Sequence, residues 1–239
     1  MGRAFEVRKK SMLKTGMAKT KIYTRYSKEI YLAAKDGEPN PDSNLRLKRI
    51  IDKAKNDQVP SDVIKRAIEK VTSGMGVDYK ENRYEGFGPS GATIIVDCLT
   101  DNANRTISEV KNCFTKSENK IGVSGAVVHM FDHLGVIAIK NSTEDEVLEL
   151  ILDNDLDVED IEVENDGTIT LYTKVTDFNN VRDLLGQTKE EDIIVDELSW
   201  LPQINVELNE EELQSFNKLI DMLNECEDVQ NLYHNVENI

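Results

Sequence analysis

The chain has 239 residues, of which 39% are hydrophobic and 31% charged, which suits two or three small domains with packed cores. No stretch approaches the roughly 18 apolar residues of a membrane span, and no apolar run follows the charged residues 1–6, which predicts no secretory signal. The three cysteines form no CxxC pair, which argues against a disulfide framework or a zinc ribbon and favours a cytoplasmic location.

The net charge of −16 is unevenly distributed along the chain. Residues 1–75 hold 18 Lys and Arg against 9 Asp and Glu, whereas residues 76–239 hold 11 against 36. Such an asymmetry indicates that the basic segment contacts a polyanion while the acidic remainder, which repels phosphate, stays clear of it. The alternative is a soluble acidic protein whose basic end has no binding role.

The basic segment is predicted to be a small helical bundle preceded by a flexible basic arm at residues 2–20. Apolar side chains recur at helical spacing over residues 21–35, 43–56 and 61–71. Residues 38–41 contain two prolines that break the first helix, and Ser61 is the expected N-cap of the third. Three short amphipathic helices can bury one core together. Residues 72–76 are predicted to form a linker.

After residue 76 the pattern changes to alternating strands and helices. Strands are predicted over residues 92–100, 125–132, 135–140, 158–164, 167–173 and 193–201, and helices over residues 102–117, 143–152 and 176–185. The capping box Thr143-x-x-Glu146 opens one helix, and Asp166-Gly167 is a strong hairpin turn signal. From residue 135 onward the order is β-α-β-β-α-β, which is ferredoxin-like.

The tail adds a possible strand at residues 204–208, a helix at 210–224 and a strand at 229–236. With the earlier β-α-β these elements could make a second ferredoxin-like unit that the first interrupts as an insertion, although spacing alone also allows two separate domains. We therefore predict a multidomain α+β protein in which an N-terminal three-helix bundle precedes two ferredoxin-like α/β domains, one inserted in the other. The predicted domains are residues 1–76, residues 77–132 with 203–239, and residues 133–202.

The segment Gly86-Phe87-Gly88-Pro89-Ser90-Gly91 matches G-x-G-x-x-G. A dinucleotide site needs a strand before this motif and a helix after it. Here a loop is predicted before it and a strand after it, and Pro89 lacks an N–H, so we favour a tight turn that leads into a strand. Alternatively, Tyr84 and Phe87 could stack on nucleic-acid bases from this loop.

Other chemistry-bearing residues favour structural roles. His129 and His133 could share a strand face, but no third metal ligand is suggested nearby, and His234 stands alone. No Ser or Cys nucleophile occurs with a His in a recognisable motif. We therefore expect no catalytic residue, metal, cofactor or small-molecule substrate.

The basic helical face is the strongest functional signal, because Lys and Arg at helical spacing can engage several phosphates and release their counterions. The candidate phosphate-binding residues are Lys9, Lys10, Lys14, Lys21, Arg25, Arg46, Arg49 and Lys53. A second candidate surface combines Tyr84 and Phe87 with Arg105, which could meet a phosphate at a helix start. The alternative for that segment is that Asn102 or Asn104 simply caps the helix.

Several separated stretches match one known family in order and spacing. They are Gly2-Arg3 with the basic arm, Lys21-Ile22-Tyr23 through Glu29-Ile30, Asn44-Leu45-Arg46-Leu47, Ile51-Asp52-Lys53-Ala54-Lys55, Pro60 with Ile64 and Arg66-Ala67-Ile68, Arg83-Tyr84-Glu85-Gly86-Phe87-Gly88-Pro89, Leu99-Thr100-Asp101-Asn102-Ala103-Asn104-Arg105-Thr106, and Asp228 through Val236. On these residues the chain resembles the YebC/PmpR family, which includes mitochondrial translational activators of cytochrome oxidase. Its start, with Phe5 where the common pattern has Trp, resembles the YeeN-like branch.

The resemblance implies a helical bundle followed by two α/β domains, the last inserted within the second, with no enzymatic activity and a cytoplasmic location. Family members are described as DNA-binding transcriptional regulators, and others resemble translation factors that act on the ribosome, notably where proline runs stall synthesis. We therefore expect a transcriptional regulator that binds DNA. The alternatives are a translation factor that binds ribosomal RNA and a protein–protein adaptor that uses the acidic domains.

Overall fold

Three helices form the N-terminal bundle of the computed structural model, which describes residues 19–74 and 76–239. They are α1 (Lys19–Asp36), α2 (Leu45–Asn56) and α3 (Ser61–Thr72). Their apolar stripes meet in one core around the buried side chains of Ile30 and Leu47. The predicted bundle is therefore confirmed, while the candidate residues Lys9, Lys10 and Lys14 lie outside the described residues.

The N-termini of α2 and α3 are capped in different ways. The Asn44 side chain accepts the backbone N–H of Leu47 and caps α2. Before α3, Pro60 occupies the cap position with φ −59°, and Ser61 is the first helical residue. The prediction that Ser61 is the N-cap is wrong, because the helix begins one residue earlier than predicted, with Pro60 at the cap position and Ser61 as its first residue.

The rest of the chain forms two sheets, each with two helices. In chain order the elements are β1 (Lys80–Phe87), β2 (Thr93–Thr100), α4 (Ala103–Lys116), β3 (Lys120–Ile121), β4 (Phe131–Ile139), α5 (Glu144–Asp153), β5 (Asp160–Val163), β6 (Ile169–Lys174), α6 (Phe178–Lys189), β7 (Ile193–Pro202), α7 (Glu210–Glu225) and β8 (Val229–His234). We call the sheet of β1, β2, β3 and β8 with α4 and α7 the middle domain, and the sheet of β4 to β7 with α5 and α6 the inserted domain.

Both sheets have the same spatial plan. The inserted domain has strand order β5-β6-β4-β7, the ferredoxin-like arrangement, and all its pairs are antiparallel. The middle domain has order β3-β1-β2-β8, so β1 takes the place that β6 takes in the inserted domain. The predicted fold class is confirmed, including the insertion, whereas the domain boundaries at residues 76, 132 and 202 stay a prediction.

Strand β1 is not predicted from the sequence, because its residues are mostly polar. Arg83 on β1 pairs with Asp97 on β2 across the strands, and Glu85 is only 3% exposed. The Glu85 carboxylate accepts backbone N–H groups of Gly125, Val127 and Val128. A side chain, not a neighbouring strand, therefore satisfies the backbone that follows β3.

The same contacts explain why the strand predicted at residues 125–132 is wrong. That stretch contains a short 3₁₀ helix at Val128–Met130, and β4 then runs without a break from Phe131 to Ile139. The prediction of a possible strand at residues 204–208 is also wrong, because only Val206 forms a bridge there, with Val236.

Two local predictions are confirmed. They are the capping box at Thr143 and Glu146 and the hairpin turn at Gly167, which has φ +80°. Within the described residues, no helix is both long and apolar enough to cross a membrane.

Candidate nucleic-acid interface

A buried ion pair joins the bundle to the middle domain. The Lys28 ammonium on α1 lies 2.8 Å from one carboxylate oxygen of Asp228, and the two residues are 5% and 2% exposed. Lys28 also donates to the backbone carbonyls of Leu99 and Glu227, at 3.2 Å each. All three of its donors are therefore used, and this face of α1 is a docking face.

The second carboxylate oxygen of Asp228 organises the start of α4. It accepts hydrogen bonds from Thr100 at 2.9 Å, from Thr106 at 2.8 Å and from Arg105 at 2.7 Å. Burial raises the pKa of Asp228, but the hydrogen bonds from Lys28, Arg105 and the two threonines outweigh it and lower the pKa to about 2. Asp228 therefore stays ionised under ordinary conditions and holds two cations.

Arg105, a candidate phosphate ligand, is already engaged in this cluster. Its guanidinium also contacts Asp101 at 2.8 Å, so two carboxylates share it. The Asn102 side chain accepts the backbone N–H of Arg105 and caps α4, which confirms the structural alternative for this segment. Whether Arg105 also meets a phosphate stays a prediction.

The basic stripe of α2 faces the acidic inserted domain. Arg49 forms an ion pair with Asp183 on α6, and Lys53 forms one with Asp196 on β7. Asp196 is shared with Arg182 at 2.9 Å. These groups line a cleft of about 660 Å³ between α2 and the inserted domain. Carboxylates of the acidic inserted domain therefore cover part of this basic face, because unlike charges attract. That the acidic remainder stays clear of a bound polyanion stays a prediction.

The candidates on α1 are also occupied. The Lys21 ammonium donates to the backbone carbonyl of Asn224, and burial lowers its pKa to about 8. Arg25 pairs with Glu29 one turn further along the same helix at 2.9 Å. For both residues, binding to phosphate stays a prediction that needs these contacts to be exchanged.

A different set of bundle cations faces solvent. Lys48 on α2 and Lys65, Arg66 and Lys70 on α3 are exposed, and none of them has an ion pair within residues 19–74 and 76–239. Arg46 is 61% exposed and has one distant carboxylate, Asp36, at 3.5 Å. Of the residues singled out from the sequence, Arg46 is thus the one described cation that lies mainly in solvent. The apolar stripe of α3 could have identified Lys65, Arg66 and Lys70, since it leaves them on the opposite face.

The second candidate surface is not brought together. Tyr84 and Phe87 lie on strand β1 and not in a loop, which corrects the predicted context. Tyr84 packs on the core beneath α4 and α7, whereas Phe87 packs on the opposite face of the sheet beside Phe131. Because their rings are half-buried and face opposite ways, they cannot form one stacking platform.

The glycine-rich segment is a tight turn, as the sequence indicated. A Cβ at Gly86 would lie 2.2 Å from the Phe114 ring, and one at Gly88 would lie 2.8 Å from the Phe216 ring. Gly91 has φ +82°, which favours glycine. Strand β1 precedes the turn and strand β2 follows it, so the helix that a dinucleotide site requires is missing.

Trp200 stacks between side chains of both α/β domains. Its ring lies parallel to that of His133, with ring centres 4.2 Å apart, and the Arg83 guanidinium lies 4.5 Å from the centre of the Trp200 ring.

The other two histidines have separate surroundings. His129 lies in the short 3₁₀ helix before β4, and His234 contacts the Phe216 ring edge to face. The described part of the chain contains no cluster of three or more His, Cys, Asp or Glu side chains that could hold a metal ion.

Comparison with known proteins identifies the family. Residues 3–74 match the TACO1/YebC protein N-terminal domain, and residues 79–236 match the TACO1/YebC second and third domain. The chain therefore belongs to the TACO1/YebC family, as its resemblance to YebC/PmpR proteins implied.

Relatives match over nearly their whole length. A protein from Alteromonas mediterranea is 54% identical over 236 residues, 98% of each chain, and one from Vibrio vulnificus is 51% identical over 239 residues, 99% of this chain and 100% of that one. Both are named probable transcriptional regulatory proteins. The crystal structure of a conserved hypothetical protein from Aquifex aeolicus is similar, with a TM-score of 0.75 and 33% identity over 91% of this chain and 90% of that chain.

Proposed function

We propose that the chain is a non-enzymatic regulator of gene expression that binds DNA through its N-terminal bundle and acts in transcription. The names of the relatives from Alteromonas mediterranea and Vibrio vulnificus support the transcriptional role. DNA binding is supported most directly by a set of exposed cations without an ion pair in the described bundle, namely Lys48, Lys65, Arg66 and Lys70. Cations without a carboxylate partner can neutralise phosphates at no cost in broken ion pairs.

The charge of the remaining domains supports the same orientation. Residues 76–239 carry a balance of −25, so a polyanion is repelled from most of the surface and approaches the bundle. The exposed cations of α2 and α3 form the first contact in this proposal. Arg49 and Lys53 are held by carboxylates of the inserted domain and become available only when a phosphate replaces those carboxylates.

The salt dependence of binding tests this proposal. With the full chain and duplex DNA between 50 and 200 mM salt, we expect log K to fall linearly with log salt, with a slope of about −4 for four neutralised phosphates. Fluorescence anisotropy measures the affinity at each salt concentration. An affinity that does not change with salt would contradict binding through phosphate contacts.

A paired experiment separates transcription from translation. Footprinting on genomic DNA and co-sedimentation with ribosomes are carried out on the same preparation. We expect protected DNA sites without enrichment in the ribosome pellet. Co-sedimentation without any DNA footprint would replace the transcriptional role with the ribosome-associated alternative, which uses the same cations on ribosomal RNA.

Removing a competing carboxylate should strengthen binding. In Asp183→Asn, Arg49 loses its ion pair with Asp183 and can neutralise one further phosphate, which at 0.1 M salt corresponds to about eightfold tighter binding, from a slope of about −0.9 per contact. The same titration should show a slope steeper by about one. Glu149→Gln, an exposed position on α5 with the same change in charge, is the matched control. Equal or weaker binding by Asp183→Asn would mean that the Arg49 pair has a purely structural role.

A further inference from the structure

Two cysteine thiols that are distant in sequence meet beneath the bundle. Cys113 lies on α4, and Cys226 is the C-cap residue that directly follows α7. Their sulfur atoms are 3.5 Å apart, whereas a disulfide bond is about 2.0 Å long. The sulfur atoms therefore need to approach by only about 1.5 Å to form a bond.

The two thiols differ from the third cysteine because they contact each other. Burial raises the pKa of Cys98 to about 12, which disfavours its thiolate. The hydrogen bond with Cys226 lowers the pKa of Cys113, and the same contact raises the pKa of Cys226. This contact favours the thiolate of Cys113, which is buried, and it places the partly exposed Cys226 next to that sulfur.

Cys226 lies within the segment that receives the bundle. The backbone carbonyl of Asn224 accepts Lys21, the carbonyl of Glu227 accepts Lys28, and the Asp228 carboxylate pairs with Lys28. Residues 224–228 therefore carry three acceptors for α1, with Cys226 in the middle. A shift of this residue changes the positions of acceptors on both sides of it.

We propose that Cys113 and Cys226 form a reversible disulfide on oxidation by a peroxide, and that this bond loosens the docking of α1 on residues 224–228. The Cys113 thiolate attacks one oxygen of hydrogen peroxide, the O–O bond breaks, and the leaving hydroxide takes a proton to become water. The Cys226 sulfur then attacks the resulting sulfenic sulfur, the S–O bond breaks, and a second water leaves. The two thiols lose two electrons and two protons in total, and the peroxide is reduced.

The coupling follows from hydrogen-bond geometry. Closing the bond draws Cys226 toward α4 by an amount on the order of 1 Å, and the bonds that Lys28 makes at 2.8 and 3.2 Å weaken steeply over such distances. A buried cation whose acceptors move away is destabilised. Because the bundle carries the proposed DNA surface, any effect on DNA binding rests on the proposed function, whereas disulfide formation and undocking do not.

Thiol chemistry is tested on the full chain. After treatment with hydrogen peroxide and alkylation of the remaining thiols, we expect mass spectrometry of the tryptic peptides to show a Cys113–Cys226 link that dithiothreitol removes. Cys98→Ser, the matched control, should form the same link, and Cys113→Ser should not. The wild-type peptide map needs no variant, so its lack of the link would overturn the proposal even if a variant failed to fold.

A separate measurement tests whether the disulfide loosens the docking of α1 on residues 224–228. Amide hydrogen exchange in α1 and in residues 224–228 should be at least severalfold faster in the oxidised chain and return to the reduced rate after dithiothreitol. Peroxide should leave the exchange of Cys113→Ser unchanged. A linked pair with unchanged exchange would overturn the loosening. Neither measurement includes nucleic acid, so a failure of the DNA-binding proposal is distinguishable from a failure of this one.

Discussion

Asp228→Ala is expected to lower the free energy of unfolding by about 3–5 kcal/mol, the usual cost of removing one partner of a buried ion pair. The substitution leaves the Lys28 ammonium, which is 5% exposed, without its carboxylate, and it removes the shared acceptor of Thr100 and Thr106. Urea unfolding of the full chain measures the change.

The control for this prediction is Asp101→Ala. Asp101 also pairs with Arg105, but its side chain is 43% exposed, so its loss should cost less than about 1 kcal/mol. If Asp228→Ala and Asp101→Ala lowered the free energy of unfolding equally, water would have access to the Lys28–Asp228 ion pair between the bundle and the middle domain.

The same carboxylate predicts a pH dependence of stability. Folding lowers the pKa of Asp228 from 3.8 to about 2, so the folded state binds its proton less readily than the unfolded state does. The stability that Asp228 contributes is complete above pH 4 and is lost as the pH falls from about 4 to about 2. In Asp228→Ala this loss should be absent, so the difference in unfolding free energy between wild type and variant should shrink over that interval.

Removing three bundle cations should weaken DNA binding by a factor of about 10² to 10³ at 0.1 M salt, from a slope of about −0.9 for each phosphate contact. The triple variant is Lys65→Gln, Arg66→Gln and Lys70→Gln on α3. The salt dependence should become shallower by about three, because each lost contact removes about one from the slope. Fluorescence anisotropy over the same salt range measures both quantities.

A matched triple variant separates local contacts from overall charge. Lys111, Lys116 and Lys120 are exposed on the middle domain, and replacing all three with glutamine gives the same change in net charge. We expect this control to bind within a few-fold of wild type, and both variants to keep wild-type stability to within about 0.5 kcal/mol. If the two variants lost equal affinity, only net charge would matter and the α3 surface would have no specific role.

Elements with a clear apolar period could be predicted from the sequence. The stripes of α1, α2 and α3 and the capping box at Thr143 gave the correct elements, because local spacing alone decides which side of a helix is buried. Strand β1 could not be found in this way. The carboxylate of its buried residue Glu85 accepts hydrogen bonds from backbone N–H groups about 40 residues further along the chain, and no local sequence pattern indicates such partners.

The candidate site could be predicted only in part for a related reason. The spacing of Arg46, Arg49 and Lys53 correctly placed them on one face of α2, but spacing does not say what that face contacts. Asp183 and Asp196, which come from the inserted domain, occupy most of it. Lys28 shares the stripe of Lys21 and Arg25, and its role as a buried anchor depends on Asp228, 200 positions away.

The interrupted order of the middle domain has a consequence for folding during synthesis. β8 pairs with β2 but follows the whole inserted domain in the chain. The inserted domain is continuous from β4 to β7, so it can complete its sheet while the middle domain still lacks a strand. On a growing nascent chain, the helical bundle therefore emerges early, but it can form its buried ion pair with Asp228 only after that residue has left the ribosome.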